Sequence, residues 1–169
     1  MNNLPSIFLS YNPNSDFEET LAIRLHTIGA VHGFQMYRPE RNLNSNSISI
    51  ETMARINQSD YYILFSTNKL SPTALAEIRY AFERFHDKKR IIIIYDALIG
   101  KNMTHTDFCT ELSFDRRKES PEEFIQKVLS TIKSNKPKGI TKNANQDALP
   151  GLLIAGLALL ILGVVLSKK

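Results

Sequence analysis

The sequence predicts a three-layer α/β domain over residues 1–132, in which helices cover both faces of a parallel β-sheet. Short apolar runs suited to buried strands alternate with segments whose apolar residues recur every three or four positions. The clearest helical segments also begin with a serine in the capping position. Strands and helices that alternate in this way form parallel βαβ units, because parallel strands need a crossover connection.

The predicted elements follow one another as strand, helix, strand, helix along the domain. The predicted strands are residues 7–10, 31–37, 61–66 and 91–95, and the predicted helices are residues 15–28, 48–58, a segment that begins at Pro72, and 124–132. The polar residues 38–47 separate the second strand from the second helix. Residues 96–114 are ambiguous and can hold one short edge strand.

Capping residues support three of these helices. Ser15 with Glu18 predicts a capping box at the first helix, which Gly29 ends. Ser71 precedes Pro72, which suits the first helical position, and Ser120 opens the last helix. The third helix also has an apolar stripe typical of packing on a sheet, formed by Leu75, Ile78, Phe82 and Phe85.

The distribution of charge excludes a DNA-binding enzyme. The chain of 169 residues has a formal net charge of +4, but residues 1–132 carry 15 Lys and Arg against 16 Asp and Glu, a net of −1. Residues 133–169 carry 6 Lys against Asp147, a net of +5. A protein that binds nucleic acid concentrates basic residues on its folded domain, so we expect no nucleic-acid partner.

The C-terminal segment predicts a membrane anchor. Residues 148–166 contain no charge and would span about 28 Å as a helix, close to the thickness of the hydrocarbon core. Residues 133–147 form a basic juxtamembrane linker suited to anionic lipid head groups. No signal sequence is apparent, so we expect a single-pass, C-terminally anchored protein in the membrane, with its domain facing the cytoplasm. The single cysteine, Cys109, agrees with a reducing compartment.

Several common catalytic sites are excluded. Residues 1–132 contain only the glycines Gly29, Gly33 and Gly100, which cannot build a Walker-type phosphate loop or a dinucleotide fingerprint. No Gly-x-Ser-x-Gly elbow is present. His105 and Cys109 are too few to make a zinc site, so we expect no metal.

The carboxyl edge of the predicted sheet is the place for a ligand, as in open α/β folds generally. Residues 10–12, 38–47 and 66–77 follow the first three strands and reach this edge. Glu77 lies roughly 90° from the apolar stripe of its helix. Taken alone, such a glutamate is most often an ordinary solvated residue.

The order of several motifs resembles a Toll/interleukin-1 receptor (TIR) domain over about residues 5–130. The residues that carry the resemblance are Ile7 to Tyr11, Asp16, Leu21, Leu25, Gly29, Ile56 to Asp60, Ser71, Glu77 and Ala81. The spacing of Ser71 and Glu77 is the most specific of these features. Thr73 and Ala74 depart from the family, which often has Trp and Cys there, and residues 38–47 lack the family's usual loop glycine.

The resemblance implies a flavodoxin-like sheet and, as in many prokaryotic members, cleavage of the nicotinamide–ribose bond of NAD⁺ by a hydrolase or cyclase in antiviral defence. By the family pattern Glu77 is the catalytic carboxylate. NAD⁺ is then the substrate, with no resident cofactor, and TIR–TIR contacts make a homo-oligomer. The candidates for binding NAD⁺ at the carboxyl edge are Ser10, Tyr11, Asn12, Arg38 and Ser71.

Two other functions remain open. A TIR adaptor without catalytic activity would signal at the membrane through self-association alone. An enzyme similar to nucleoside deoxyribosyltransferases would share the fold and a glutamate that contacts ribose. Release of nicotinamide from NAD⁺ separates the first alternative from the enzyme, and deoxynucleoside substrates test the second.

Overall fold

The computed structural model describes residues 4–41, 47–103 and 105–135. In chain order the elements are β1 (Ser6–Ser10), α1 (Asp16–Val31), β2 (Gln35–Tyr37), α2 (Ile50–Gln58), β3 (Tyr61–Ser66), α3 (Pro72–Arg84), a 3₁₀ turn (Lys88–Arg90), β4 (Ile91–Asp96), β5 (Thr110–Phe114) and α4 (Pro121–Ser134). The prediction of alternating strands and helices is therefore confirmed.

The sheet in the described part of the chain has the strand order β2-β1-β3-β4-β5, and every neighbouring pair is parallel. This order is that of flavodoxin-like folds, and it places the point where the strand order reverses between β1 and β3. Ligands in such folds bind beyond the carboxyl ends of the strands near this point. The predicted fold class is confirmed for the domain.

Two apolar layers hold the helices on the sheet. Residues of α1 and α4 pack on one face with Ile7, Leu9 and Ile63. Residues of α2 and α3 pack on the other face with Phe8, Tyr62 and Leu64. Because successive side chains of a strand point to opposite faces, Ser10 continues the row of Phe8 and faces the α3 layer. The strands β1, β3 and β4 are buried throughout, which explains their nearly continuous apolar sequences.

The first helix differs from its prediction at both ends. It continues through Gly29 to Val31, and Gly33, with φ of +86°, follows the helix instead. Gly29 packs closely on Met36, whose side chain would have to shift to accept a Cβ, because that Cβ would lie 2.7 Å from its sulfur. At the other end Ser15 accepts a hydrogen bond from the backbone of Glu18, but the Glu18 carboxylate binds other groups, so the reciprocal half of the predicted capping box is wrong. At α4, Ser120 caps the helix as predicted and forms a complete capping box with Glu123.

Two strand predictions also change. The second strand is Gln35–Tyr37, shorter than predicted because α1 extends to Val31. The ambiguous segment 96–114 contains β5, Thr110–Phe114, at the edge of the sheet beside β4.

Among the residues that the structure describes, no helix is both long enough and apolar enough to cross a membrane. The predicted span at residues 148–166 and all but the first three residues of the predicted linker lie outside the described residues. The membrane anchor therefore stays a prediction from the sequence.

Candidate functional site

The end of β1 and the second turn of α3 bring Ser10 and Glu77 together. Ser71 caps α3 and Pro72 starts it, so that Glu77 lies close to the helix N-terminus. Ser10 is the last residue of β1, and its hydroxyl donates a hydrogen bond of 2.5 Å to Oε2 of Glu77. Two residues 67 positions apart in the chain thus share a hydrogen bond at the carboxyl edge.

Arg41 completes this cluster from the segment that follows β2. Its Nε donates to Oε1 of Glu77 at 3.1 Å, and its Nη2 donates to Oε2 at 3.1 Å. Nη2 also donates to the carbonyl of Tyr11 at 2.6 Å, and the guanidinium carbon lies 4.5 Å from the centre of the Tyr11 ring. A paired fork of this kind is the strongest arrangement of arginine with a carboxylate. We call Ser10, Tyr11, Arg41 and Glu77 the glutamate cluster.

Glu77 is completely buried, with 0% of its surface exposed. The solvated environment typical of a glutamate away from the apolar stripe is therefore not what the structure shows. Burial raises the pKa of Glu77, while the charge and hydrogen bonds of Arg41 and the hydrogen bond of Ser10 act in the opposite direction. A carboxylate whose pKa is raised by burial and lowered by a charged partner is typical of functional sites, and structural ion pairs show the same pattern.

Two buried polar groups next to Glu77 have no hydrogen-bond partner within the described residues. They are Nη1 of Arg41 and the hydroxyl of Tyr62. Burial raises the pKa of Tyr62 well above its ordinary value, and the negative charge of Glu77 raises it further. Buried polar groups are usually paired, so these two can hydrogen-bond an additional group.

A second buried carboxylate, Glu18, shapes the loops around the cluster. It accepts hydrogen bonds from the backbone of Asn12 at 2.7 Å, Thr67 at 2.9 Å and Asn68 at 3.1 Å, and from the Thr67 hydroxyl at 3.0 Å. Burial raises the pKa of Glu18 despite these donors. Glu18 therefore joins the loop after β1 to the loop after β3 and holds Tyr11 and Asn12 in place.

A cleft of about 510 Å³ lies beside the glutamate cluster and shares Tyr11 with it. Its lining includes Tyr37, Arg38 and Arg55. Arg55 binds Glu40 at 2.9 Å and the carbonyl of Arg38 at 2.8 Å. Glu40 also lines the cleft, which thus combines aromatic side chains with two arginines and one glutamate.

The five predicted binding residues occupy different places at this edge. Ser10 and Tyr11 belong to the glutamate cluster, and Arg38 lines the cleft. The Asn12 side chain donates to the carbonyl of Lys69 and accepts from the backbone of Asn14. The Ser71 hydroxyl accepts from the backbone of Ala74 as the cap of α3. The side chains of Asn12 and Ser71 thus stabilise local structure, and whether any of the five binds substrate stays a prediction.

Arg41 is the residue that sequence reasoning missed. It lies in the segment 38–47, which the sequence predicts at the carboxyl edge, but the predicted binding residue of that segment is Arg38. The only signal for Arg41 was its charge and its position after the second strand.

Another buried carboxylate pairs with an arginine at the end of β4. Oδ2 of Asp96 accepts from Nε of Arg116 at 2.8 Å and from its Nη2, and Oδ1 accepts from the backbone of Leu98 at 2.8 Å. The Arg116 guanidinium carbon lies 4.3 Å from the centre of the Phe17 ring. We call Asp96, Arg116 and Phe17 the aspartate cluster.

Within the described residues, no group of three or more His, Cys, Asp or Glu is arranged to hold a metal ion. Cys109 is buried, and burial raises the pKa of its thiol to about 12. His105 is exposed.

No protein-family model and no curated protein matches the chain. Among solved structures it is similar to the CMP N-glycosidase BcmB of Clostridium botulinum, with 16% identity and a TM-score of 0.48 over 73% of this chain and 97% of that chain. It is also similar to the TIR domains of the activated Roq1 resistosome that recognizes the pathogen effector XopQ, with 18% identity and a TM-score of 0.43 over 77% of this chain and 80% of that chain. Both TM-scores are below 0.5, so neither similarity assigns a function to this chain.

Proposed function

We propose that this chain is a TIR-type enzyme that cleaves the nicotinamide–ribose bond of NAD⁺, as a hydrolase or cyclase, with Glu77 as its catalytic carboxylate. The observation that supports this most is the glutamate cluster, in which a buried carboxylate lies beside an aromatic ring that already holds a planar cation. The cluster lies at the carboxyl edge of the sheet, where this fold binds ligands.

The reaction needs a negative charge more than it needs an acid. When the bond between ribose C1′ and the ring nitrogen breaks, its electron pair goes to the nicotinamide ring, which leaves as a neutral molecule. Positive charge then develops on the ribose, and an ionised Glu77 stabilises it in a site that excludes water. Water adds to C1′ and loses its proton to the solvent, or the adenine ring attacks and the product is cyclic.

The neighbouring groups have separate roles in this proposal. Ser10 orients the Glu77 carboxylate through its hydrogen bond. The cleft that contains Arg38 accepts the phosphate groups, because arginine forks match phosphate geometry. Asn12 and Ser71 act through the backbone conformation of the loop and helix that carry the cluster.

The test is nicotinamide release from NAD⁺ by the purified full chain. Glu77→Gln keeps the size of the side chain and removes its charge, so we expect a rate about 10²–10³ lower, as for the loss of one electrostatic stabiliser. Glu83→Gln changes an exposed glutamate of the same helix and should keep the original rate. Nicotinamide release by Glu77→Gln at the rate of the unmodified chain would refute the assignment of Glu77.

The sequence adds a membrane location to the proposal. Residues 148–166 anchor the enzyme with its domain in the cytoplasm, where NAD⁺ is available, and TIR–TIR contacts assemble it in antiviral defence. Protease added to intact spheroplasts should leave the domain uncut, and membrane rupture should expose it. Cleavage of the domain in intact spheroplasts would contradict this topology.

The burial of Glu77 favours a second candidate, a TIR adaptor without catalytic activity. In this structure Arg41 and Ser10 bind both carboxylate oxygens, and Glu77 has no exposed surface for a ribose hydroxyl. The two candidates differ in one measurement, because an adaptor releases no nicotinamide at any protein concentration.

A further inference from the structure

Arg41 occupies a position that has three properties of a site for a planar organic cation. The flat guanidinium lies over the face of Tyr11, it carries a positive charge, and it contacts both oxygens of Glu77. An aromatic face attracts a cation through its quadrupole, and a buried carboxylate attracts it directly. The nicotinamide ring of NAD⁺ is also flat and positively charged.

We propose that Arg41 is an internal competitor, whose guanidinium fills the place between Tyr11 and Glu77 that the planar cation of the substrate takes. The identity of that cation rests on the function proposed above. The existence of the cation site rests only on the geometry of Tyr11, Arg41 and Glu77.

The burial of the cluster indicates that Arg41 occupies the cation site and does not merely lie next to it. Tyr11 is 7% exposed and Glu77 is 0% exposed, while the Arg41 side chain that covers them is 12% exposed. Arg41 comes from the segment after β2, whereas Tyr11 directly follows β1 and Glu77 belongs to α3. Movement of this one side chain therefore uncovers an aromatic face and a carboxylate together.

The hydrogen bonds of Arg41 also indicate that a ligand can displace its guanidinium from Tyr11 and Glu77. Its Nη1 is buried without a partner among the described residues, although Nε and Nη2 are both paired. An unpaired buried donor costs free energy, so the bound guanidinium is not fully stabilised. A ligand that lets Arg41 return to water removes this cost.

The inference predicts that Arg41 weakens cation binding in the unmodified chain. A site that is free in only a small fraction of molecules binds with an affinity reduced by that fraction. If Arg41 leaves the site free in roughly a tenth of molecules or fewer, its removal strengthens binding about tenfold or more. A purely structural Arg41 predicts the opposite, because its loss would disorder the site.

The experiment measures binding of 1-methylnicotinamide, a flat cation, and of nicotinamide, its neutral counterpart, to the full chain by calorimetry. We expect Arg41→Ala to bind the cation at least about tenfold more tightly than the unmodified chain, with little change for nicotinamide. The double variant Arg41→Ala with Glu77→Gln should lose this gain. Arg79→Ala, which removes an exposed arginine from α3, should behave as the unmodified chain.

Arg41→Lys keeps the proposal testable if Arg41→Ala does not fold. Lysine keeps a charge but lacks the planar fork, so the cation should bind with an affinity above that of the unmodified chain. Equal affinity in the unmodified chain and in the folded Arg41 variants would overturn the inference, as would equal gains for nicotinamide and the cation.

The two proposals fail separately in this design. In one outcome the chain binds the cation in a way that depends on Arg41 and yet releases no nicotinamide from NAD⁺. That result would support the cation site and refute the proposed enzymatic activity. Nicotinamide release that depends on Glu77, with cation affinity independent of Arg41, would keep the enzyme and refute the competitor.

Discussion

The glutamate cluster and the aspartate cluster use the same three chemical parts at the same edge of the sheet. Each has a buried carboxylate, an arginine bound to it and an aromatic ring under the guanidinium. The arginines differ, because the side chain of Arg41 is 12% exposed and that of Arg116 is 41% exposed. Of these two clusters, the glutamate cluster alone has a buried side-chain nitrogen without a hydrogen-bond partner among the described residues.

On this difference rests our proposal that the glutamate cluster, and not the aspartate cluster, accepts a ligand. Asp96, at the end of β4, binds Arg116 from 20 residues away in the chain, and the backbone of Leu98 donates to its other oxygen. Glu77 lies next to the point where the strand order reverses, and its arginine comes from 36 residues away in the chain. An ion pair is therefore a weak indication of function until its hydrogen bonds and position are known.

The largest expected effect compares Glu77→Gln with Asp96→Asn in nicotinamide release from NAD⁺. Glu77→Gln should lower the rate by about 10²–10³, because the charge that stabilises the transition state is lost. Asp96→Asn should stay within about threefold of the unmodified chain, because a group that does not touch the reacting atoms leaves the barrier nearly unchanged. An equal loss of nicotinamide release in the two variants would show that the glutamate cluster has no catalytic role that the aspartate cluster lacks.

The next effect concerns stability in the aspartate cluster. Arg116→Met keeps apolar contact with Phe17, and within the described residues it leaves the Asp96 carboxylate with the backbone of Leu98 as its one donor. We expect the free energy of unfolding to fall by about 1–3 kcal/mol, less than for a fully buried pair because Arg116 reaches water. Urea denaturation measures this change, and an unaltered midpoint would show that Asp96 needs no arginine.

The pH dependence of the glutamate cluster should show opposite trends in rate and stability. Because the pKa of Glu77 is raised above 4.5, the rate should fall on acidification with a midpoint above that value. The folded chain then binds a proton at Glu77 more readily than the unfolded chain, so ionisation of Glu77 lowers stability as the pH rises through the window above 4.5. The free energy of unfolding relative to Glu77→Gln should therefore decrease across the same window. A rate midpoint below 4.5 would contradict the effect of burial.

The smallest effect comes from an ion pair on the surface. Arg24 binds Glu122, and their side chains are 45% and 59% exposed. Arg24→Met should change the free energy of unfolding by only about 0–0.5 kcal/mol, because water and salt screen such pairs. This variant is the matched control for Arg116→Met in the same urea experiment, and a loss as large as that of Arg116→Met would show that burial does not distinguish the two pairs.

Local signals in the sequence predicted the fold well. Ser71 and Pro72 begin α3 as expected, and the buried run 61–66 coincides with β3. These features depend on neighbouring residues, which a sequence shows directly. The capping box at Ser15 failed because Glu18 binds donors on two loops, and those contacts depend on the tertiary fold.

The site could be predicted only in part. The sequence placed Ser10 and Glu77 at one edge, because parallel strands end together. It did not indicate that Glu77 is buried, since its position on the helix was compatible with solvent. It also could not choose between Arg38 and Arg41, because three residues along an irregular segment decide which guanidinium reaches the carboxylate.

The short strand β2 has a consequence for motion at the edge of the sheet. It pairs with β1 through three residues only, whereas β3 is paired on both sides by longer strands. Short edge elements open locally at a lower free energy than central strands, and their amide protons exchange with solvent first. Arg41 follows β2 by four residues, so the least protected strand of the sheet adjoins the segment that carries Arg41. Deuterium should therefore enter Gln35–Tyr37 well before Tyr61–Ser66.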